Sequence, residues 1–209
     1  MSPRLYMGLL PWIVFAFVGR GSLEGAAWGA VAALIAAIVI ASMSARTRSV
    51  KDLEIFSIVL FATLAVWGAT DQYNPHGFLQ RYHNGIAVGA LACFALASLA
   101  FQPFTEPYAR EVVQRKYWKT ARFSRANVEL TLMWAVVYTA IAASQIAAGA
   151  IHTRLGSTVF TWVLPMLLVV LGVKQATMRW NDQFDGESMG IDALLNQGEL
   201  WDTRGGQAG

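Results

Sequence analysis

Residues 24–43 read EGAAWGAVAALIAAIVIASM, and this stretch decides the class of fold. Its one charged residue, Glu24, stands at its start, and the residues that follow are apolar or small. A helix that crosses the hydrocarbon core of a bilayer needs about 20 mostly apolar residues. The stretch therefore predicts a transmembrane helix.

Five further stretches of the 209-residue chain have the same character. Hydrophobic residues make up 56% of the chain and charged residues 14%, whereas soluble domains carry roughly 25% charge. This balance excludes a soluble enzyme, a disordered chain and a nucleic-acid binder. The apolar runs are continuous, without the two-residue alternation of a membrane β-strand. We predict an all-α polytopic membrane protein with six spans, at residues 5–19, 24–43, 54–70, 85–101, 129–150 and 158–177.

The basic residues predict the orientation of these spans. With the N-terminus inside, the cytoplasmic segments hold 13 of the 16 Lys and Arg residues, and the other side holds 3. Lys and Arg concentrate in cytoplasmic loops. We therefore predict three helical hairpins with both termini in the cytoplasm. Residues 1–178 form the membrane domain, and residues 179–209 form an acidic cytoplasmic tail.

Small residues predict how some helices pack. Gly25 and Gly29 are spaced like Gly85 and Gly89, sixty residues later, and several alanines match at the same offset. The match indicates either an internal repeat of hairpins or a chance likeness of two Ala/Gly-rich helices. Four-residue spacing puts each glycine pair on one helix face, where backbones approach closely. That face serves either packing within the chain or a dimer seam.

Polar groups inside the predicted spans are few. No charge lies at the centre of a span, which argues against a proton-coupled pump with a buried carboxylate relay. Pro11 and Pro165 should kink the first and sixth spans. The fifth span and the turn before it carry polar and aromatic residues at helical spacing. These residues either line a cleft or hydrogen-bond a neighbouring helix: Asn127, Thr131, Trp134, Tyr138 and Gln145, with Ser144 beside them.

Histidine and cysteine give little support for a metal or a cofactor. His76, His83 and His152 fall in predicted outer loops, where a zinc site of His76 and His83 with Asp71 is the alternative to solvated side chains. The single cysteine, Cys93, lies in an apolar run and is predicted to be a small buried side chain. We expect neither a metal nor a cofactor.

The loop at residues 102–127 is the most informative connection. Thr105 is a good helix N-cap and Pro107 suits a first turn. Aromatic and aliphatic residues then alternate with basic ones, which predicts a short amphipathic helix on the inner leaflet. Its basic residues either only anchor and orient the loop at the membrane or form a contact site for anionic headgroups or a protein partner: Arg110, Arg115, Lys116, Lys119, Arg122 and Arg125.

Several of these segments together resemble one bacterial family. Leu10-Pro11-Trp12-Ile13-Val14-Phe15-Ala16-Phe17 resembles the opening of the intracellular septation protein A family, and Ala45-Arg46-Thr47-Arg48-Ser49-Val50-Lys51 resembles its basic connector. Gly77-Phe78-Leu79-Gln80-Arg81, Trp118, Asn127 and Met133-Trp134-Ala135-Val136 fit the later layout. The resemblance covers roughly residues 5–150. It implies a protein of the bacterial inner membrane linked to the cell envelope or to division, and the family has no established catalytic residues to carry over.

These observations predict a non-enzymatic membrane protein. The favoured role is interaction or envelope maintenance, with membrane lipids, a membrane protein or a second copy of the chain as partner. The alternative is a transporter of a small neutral or lipidic solute, which the kinked helices and the polar face of the fifth span would serve. A membrane enzyme would need convergent acid, base or metal groups at one depth, and the sequence offers no such set.

Overall fold

The computed structural model describes residues 7–19, 25–46, 51–71, 78–111, 113–151 and 153–179. The chain divides into two compact units, Met1–Gly172 and Val173–Gly209. The predicted acidic tail lies outside the described residues apart from Arg179, as do Glu24, His76 and His152. The fold described below is that of the first unit, and the second is described only over residues 173–179, where the last helix ends.

The described residues are helical and contain no strand. The long helices are α1 (Leu10–Val18), α2 (Gly25–Arg46), α3 (Asp52–Asp71), α4 (Phe78–Ser98), α6 (Ala121–Ala150) and α7 (Leu155–Arg179). Between α4 and α6 lie a four-residue helix, α5 (Glu106–Ala109), and a 3₁₀ turn at Arg115–Tyr117. The all-helical class predicted from the sequence is confirmed.

Four of the helices, α2, α3, α6 and α7, are long and apolar enough to cross a bilayer. The helices of the other two predicted spans, α1 and α4, are not among these four. Helix α1 has nine residues, between Leu9 and Gly19, and α4 opens with the polar run Gln80-Arg81-Tyr82-His83-Asn84. The helices establish a membrane protein, while the count of six spans remains a prediction.

Helix boundaries differ from the predicted spans mainly at the starts of α4 and α6, and α4 begins seven residues before the predicted start. The difference is largest in α6. This helix begins at Ala121, eight residues before the predicted start, so Arg122, Arg125 and Asn127 lie on it rather than in a loop. Thr120 caps it by accepting a hydrogen bond from the backbone N–H of Phe123. Hydropathy alone predicts a loop where basic residues occur near a helix end. The first turns of a helix can nevertheless carry basic residues where they lie outside the bilayer core.

Glycine lets three pairs of helices approach at backbone distance. A Cβ at Gly29 of α2 would lie 2.8 Å from the Cα of Gly19, directly after α1. A Cβ at Gly68 of α3 would lie 2.8 Å from the Cα of Ala27 on α2, and one at Gly85 of α4 would lie 2.7 Å from Cγ1 of Ile146 on α6. Contacts this close leave no room for a side chain.

The glycine contacts also bear on the predicted hairpins. Gly29 of α2 contacts Gly19 at the end of the preceding helix, whereas Gly85 of α4, the counterpart of Gly25, contacts Ile146 of α6. Gly25 is buried, and Gly89 meets the Cβ of Ala142 at an ordinary 3.8 Å. Helix α3 packs mainly on α2, and α4 mainly on α6. The similar glycine pairs of α2 and α4 therefore serve different partners.

Aromatic rings connect α1–α3 with α4. The ring of Phe61 lies 5.0 Å from that of Trp12 and 5.3 Å from that of Phe15, centroid to centroid. Phe56 of α3 stacks on Phe94 of α4 at 4.4 Å. The indole Nε1–H of Trp12 donates to the hydroxyl of Ser57, so its polar atom is satisfied inside this core.

Pro165 accounts for an irregular turn near the start of α7. A π-helical turn occupies Val159–Val163, and the N–H of Leu164 bonds to the carbonyl of Val159. Proline has no N–H and its ring clashes with the carbonyl four residues earlier, so the chain widens before it. Beyond the proline, Met166, Leu167 and Val170 are exposed, as expected of side chains that face lipid.

Candidate functional site

The face of α6 that the sequence predicts as a cleft wall lies inside the protein. Asn127 and Thr131 are fully buried, and Trp134 and Tyr138 are nearly so. The rings of Trp134 and Tyr138 stack with their centroids 5.6 Å apart. Gly172 of α7 approaches Trp134 closely, because a Cβ there would lie 3.4 Å from the indole. These four side chains pack against neighbouring helices.

Thr105 joins the connecting segment to that face. Its hydroxyl donates to the backbone carbonyl of Asn127 at 3.1 Å and lies 2.9 Å from the hydroxyl of Thr131. Since one hydroxyl has one proton, Thr131 is the donor of the second bond. The Nδ2 of Asn127 donates to the carbonyl of Phe123. All three polar side chains are therefore buried and paired.

The segment after Thr105 does not form the predicted amphipathic helix. Thr105 occupies the N-cap position of α5, but its side chain caps no N–H there because it is bonded to α6. Helix α5 ends at Ala109, and the extended backbone of Gln114 breaks the helical path before the 3₁₀ turn. The indole of Trp118 closes the segment by donating to the carbonyl of Val113.

The six predicted contact residues are exposed, and they form what we call the basic surface: Arg110, Arg115, Lys116, Lys119, Arg122 and Arg125. Arg110 and Arg115 lie over the ring of Trp118 at 5.4 and 5.6 Å from its centroid. Lys116 lies 4.7 Å from the centre of the Tyr117 ring. Three of the six cations therefore make cation–π contacts with aromatic rings of the same segment.

Beneath this surface lies a buried ion pair that the sequence did not predict. Lys51, whose side chain is 4% exposed, bonds to Glu111 through Nζ at 2.6 Å. Its Nζ also sits 4.0 Å above the centre of the Tyr108 ring. Glu54 accepts from the Lys51 backbone N–H and from Ser44, which ties the ends of α2 and α3 to the same cluster.

Tyr108 has an unusual environment in this cluster. Burial, assisted by the carboxylates of Glu54 and Glu111, raises the pKa of its phenol above the ordinary value of 10.0. Its hydroxyl has no hydrogen-bond partner among the described residues. A Cβ at Gly8 would lie 2.9 Å from that oxygen. The phenol is therefore held neutral in a tight pocket.

At the opposite ends of these helices lies a polar cavity of about 350 Å³. We call it the polar cavity, and it lies between the start of α4, the end of α6 and the start of α7. The residues that line it are Gly19, Arg81, Tyr82, His83, Asn84, Gly85, Gln145, Ala148, Gly149, Ser157, Thr158, Thr161 and Trp162. The π turn contributes Thr161 and Trp162 to its wall.

Of the five residues predicted to line a cleft, Gln145 lines the polar cavity. The other four lie deeper along α6 and are packed, as described above. The sequence missed Arg81 and His83 because both were assigned to an outer loop, whereas both lie on α4. The ring of His83 packs edge-on against Phe15 at 5.7 Å. Ser157, Thr158 and Thr161 follow helical spacing, a signal that was available in the sequence.

Two other sequence predictions concern metal and thiol chemistry. Among the residues that the structure describes, no group of three or more His, Cys, Asp and Glu side chains could hold a metal ion. Cys93 is exposed, contrary to the predicted burial. The apolar run around it misled the prediction, because an apolar residue on a membrane helix can face lipid instead of the core.

Comparison of the chain with protein families, with curated proteins and with solved structures gives no match. The four long apolar helices define a helical membrane protein, and its two polar regions lie at opposite helix ends.

Proposed function

We propose that the chain is a non-enzymatic protein of the bacterial inner membrane, with six spans and both termini in the cytoplasm. In this proposal it acts in interaction or maintenance of the cell envelope, through its basic surface. The resemblance to the septation proteins supports the envelope setting. The observation that carries the proposal is the exposure of all six basic residues at one end of the helices, with Arg110 and Arg115 over the ring of Trp118.

The contacts that attach the basic surface to the helices support this role. The connecting segment is fixed to α6 by the Thr105 hydroxyl and to α3 by the Lys51–Glu111 pair. Glu111 is directed to a buried lysine, and Glu106 pairs with Arg110. The acidic side chains of the segment are thereby engaged within the protein. A rigid cationic patch binds an anionic partner with less loss of conformational entropy than a flexible one.

The six-span topology is supported by where polar residues lie. The polar first turns of α4 line the cavity, so they need not meet lipid. Its 21 residues give a length of about 30 Å at 1.5 Å per residue, enough to cross a bilayer. With α4 and α1 as spans, the basic surface and Arg46 fall on one side of the membrane, and Arg81 falls on the other.

The test replaces charge on the basic surface. Native mass spectrometry of gently extracted full-length protein would compare R115Q/K116Q/K119Q with the charge-conserving R115K/K116R/K119R. A basic residue near an anionic surface contributes about 1 kcal/mol, so we expect the first variant to lose about tenfold or more of its co-purified phosphatidylglycerol or protein partner. Equal retention by both variants would refute the proposal.

A second candidate function is transport of a small neutral or lipidic solute. The observation that favours it is the polar cavity beside the π turn and Pro165, since π turns are frequent at functional sites. Uptake of candidate solutes into proteoliposomes would measure transport. T161V is the cavity variant, and T139V on the exposed face of α6 is the control. Uptake that T161V leaves unchanged would argue against a route through this cavity.

A further inference from the structure

The polar cavity has a one-sided electrostatic character. Its described lining contains a guanidinium, that of Arg81, and no carboxylate. The remaining polar groups are amides, hydroxyls, an imidazole and an indole, which donate hydrogen bonds readily. A cavity of this composition complements an anion.

Arg81 is held in place by its neighbours. Its Nε–H donates to the backbone carbonyl of Gly149, and its guanidinium lies 5.5 Å from the centre of the Tyr82 ring. A Cβ at Gly149 would lie 2.7 Å from Tyr82 and 3.0 Å from the Arg81 carbonyl, so only glycine allows this approach. The bond uses one N–H, and the two terminal nitrogens of the guanidinium carry four more. Such a fork matches the oxygens of a phosphate group.

Neutral donors surround this cation on the other walls. Asn84 comes from α4, Gln145 from α6, and Thr161 from the π turn of α7. Helix α7 also begins at the cavity, and the N-terminal end of a helix carries partial positive charge. The volume of about 350 Å³ lies within the ~300–1,000 Å³ typical of sites for small ligands.

We propose that the polar cavity binds a phosphate-bearing anion. Two sources share this chemistry: the headgroup of a phospholipid and a soluble phosphate. Phe78, Leu155 and Val159 are exposed on the two helices that open the cavity, so acyl chains could lie against them while the headgroup enters. This inference is independent of the basic surface, which lies at the opposite ends of the same helices.

The experiment titrates delipidated full-length protein with palmitoyl-oleoyl-phosphatidylglycerol and follows binding by native mass spectrometry. The R115Q/K116Q/K119Q background removes the contribution of the basic surface, so that the two proposals fail separately. Dioleoylglycerol serves as the lipid without phosphate, and inorganic phosphate serves as the soluble competitor. We expect one phosphatidylglycerol bound per chain and no comparable binding of dioleoylglycerol.

Three variants connect this binding to the cavity. R81Q should raise the apparent Kd about tenfold to a hundredfold, the loss expected of a charge-assisted hydrogen bond. Q145L keeps the volume of the side chain and should raise the Kd several-fold. K174Q removes one exposed positive charge from α7 and should change the Kd less than about twofold. If R81Q unfolds, as thermal melting would reveal, Q145L still decides the question.

Each outcome has a defined meaning. Competition by inorganic phosphate assigns the site to a soluble phosphate, and lipid binding without competition assigns it to a headgroup. Equal binding of dioleoylglycerol overturns the proposal. So does a Kd that neither R81Q nor Q145L changes, and so does the absence of binding by both phosphate sources.

Discussion

The hydroxyl of Ser144 on α6 donates to the backbone carbonyl of Phe160 on α7 at 2.6 Å. In an α-helical register that carbonyl would accept from Leu164, but the N–H of Leu164 bonds to Val159. In the π register the donor would be residue 165, a proline, which has no N–H. Ser144 therefore supplies the hydrogen bond that the helix itself lacks at this point.

Removing this hydroxyl should destabilise the protein. S144A leaves the Phe160 carbonyl without its donor, and an unsatisfied buried carbonyl costs about 1–3 kcal/mol. Thermal unfolding in detergent would measure the loss. S42A is the matched control, because the exposed Ser42 bonds only to a carbonyl of its own helix and should change stability by less than about 0.5 kcal/mol. Equal melting temperatures for the two variants would contradict this account of the π turn.

The anchoring of the connecting segment gives a second prediction. T105V removes the hydroxyl that bonds to Asn127 and Thr131 while it keeps the side-chain shape. We expect trypsin to cleave faster between Arg110 and Lys119. Loss of the hydrogen bonds should lower the free energy of detaching the segment from α6 by about 1–3 kcal/mol, so that the segment detaches more often. T63V, which removes an exposed hydroxyl bonded within α3, should leave cleavage unchanged. Unaltered cleavage of T105V would show that this bond does not hold the segment.

The buried ion pair should show strong coupling. E111Q leaves the ammonium group of Lys51 without its partner, and because that side chain is only 4% exposed, breaking the pair in this way costs about 3–5 kcal/mol. K51M should cost less, because the carboxylate that it leaves behind, that of Glu111, is 22% exposed and water solvates it in part. In a double-mutant cycle of denaturant unfolding, K51M/E111Q should be more stable than E111Q alone. Additive losses would indicate that the two charges do not interact.

Tyr108 gives a prediction about pH. Burial and the carboxylates of Glu54 and Glu111 raise the pKa of its phenol, whereas in the unfolded chain it ionises near 10.0. The folded state thus holds a proton that the unfolded state releases, so this contribution to stability is complete below pH 10 and is lost as pH rises through the folded pKa. Above about pH 10 the melting temperature of the wild type should fall more steeply than that of Y108F.

Near neutral pH, Y108F should be as stable as the wild type or slightly more stable. The hydroxyl has no partner among the described residues, so its removal abolishes no hydrogen bond that the structure describes. Parallel pH profiles for the two proteins would show that Tyr108 does not titrate differently on unfolding.

The positions of the long helices could be predicted from the sequence, but not which helices pack against each other. Apolar runs determine α2, α3, α6 and α7 because the bilayer demands length and hydrophobicity. Helix pairing depends on which small residue meets which backbone. Gly85 contacts Ile146 of α6 rather than a residue of α3, and nothing in the local sequence of α4 encodes that choice.

Some features of the candidate sites could likewise be predicted from the sequence, and others could not. The basic surface could be predicted, since exposure of Arg115 and Lys119 follows from their charge. The burial of Lys51 could not, because it depends on Glu111, sixty residues away in the chain. Arg81 was assigned to a loop, and the position of its side chain also depends on a distant residue, since its Nε–H donates to the carbonyl of Gly149 on another helix.

The glycine contacts have a mechanical consequence. Close backbone contacts unite α1, α2 and α3 into one block and α4 with α6 into another. Between the blocks lie side-chain contacts, such as the ring of Phe56 on that of Phe94 and the ring of Phe15 against His83. A side chain can change rotamer when two helices move past each other, whereas two backbones in contact cannot. We therefore expect relative movement of these helices to occur between the blocks rather than within either of them.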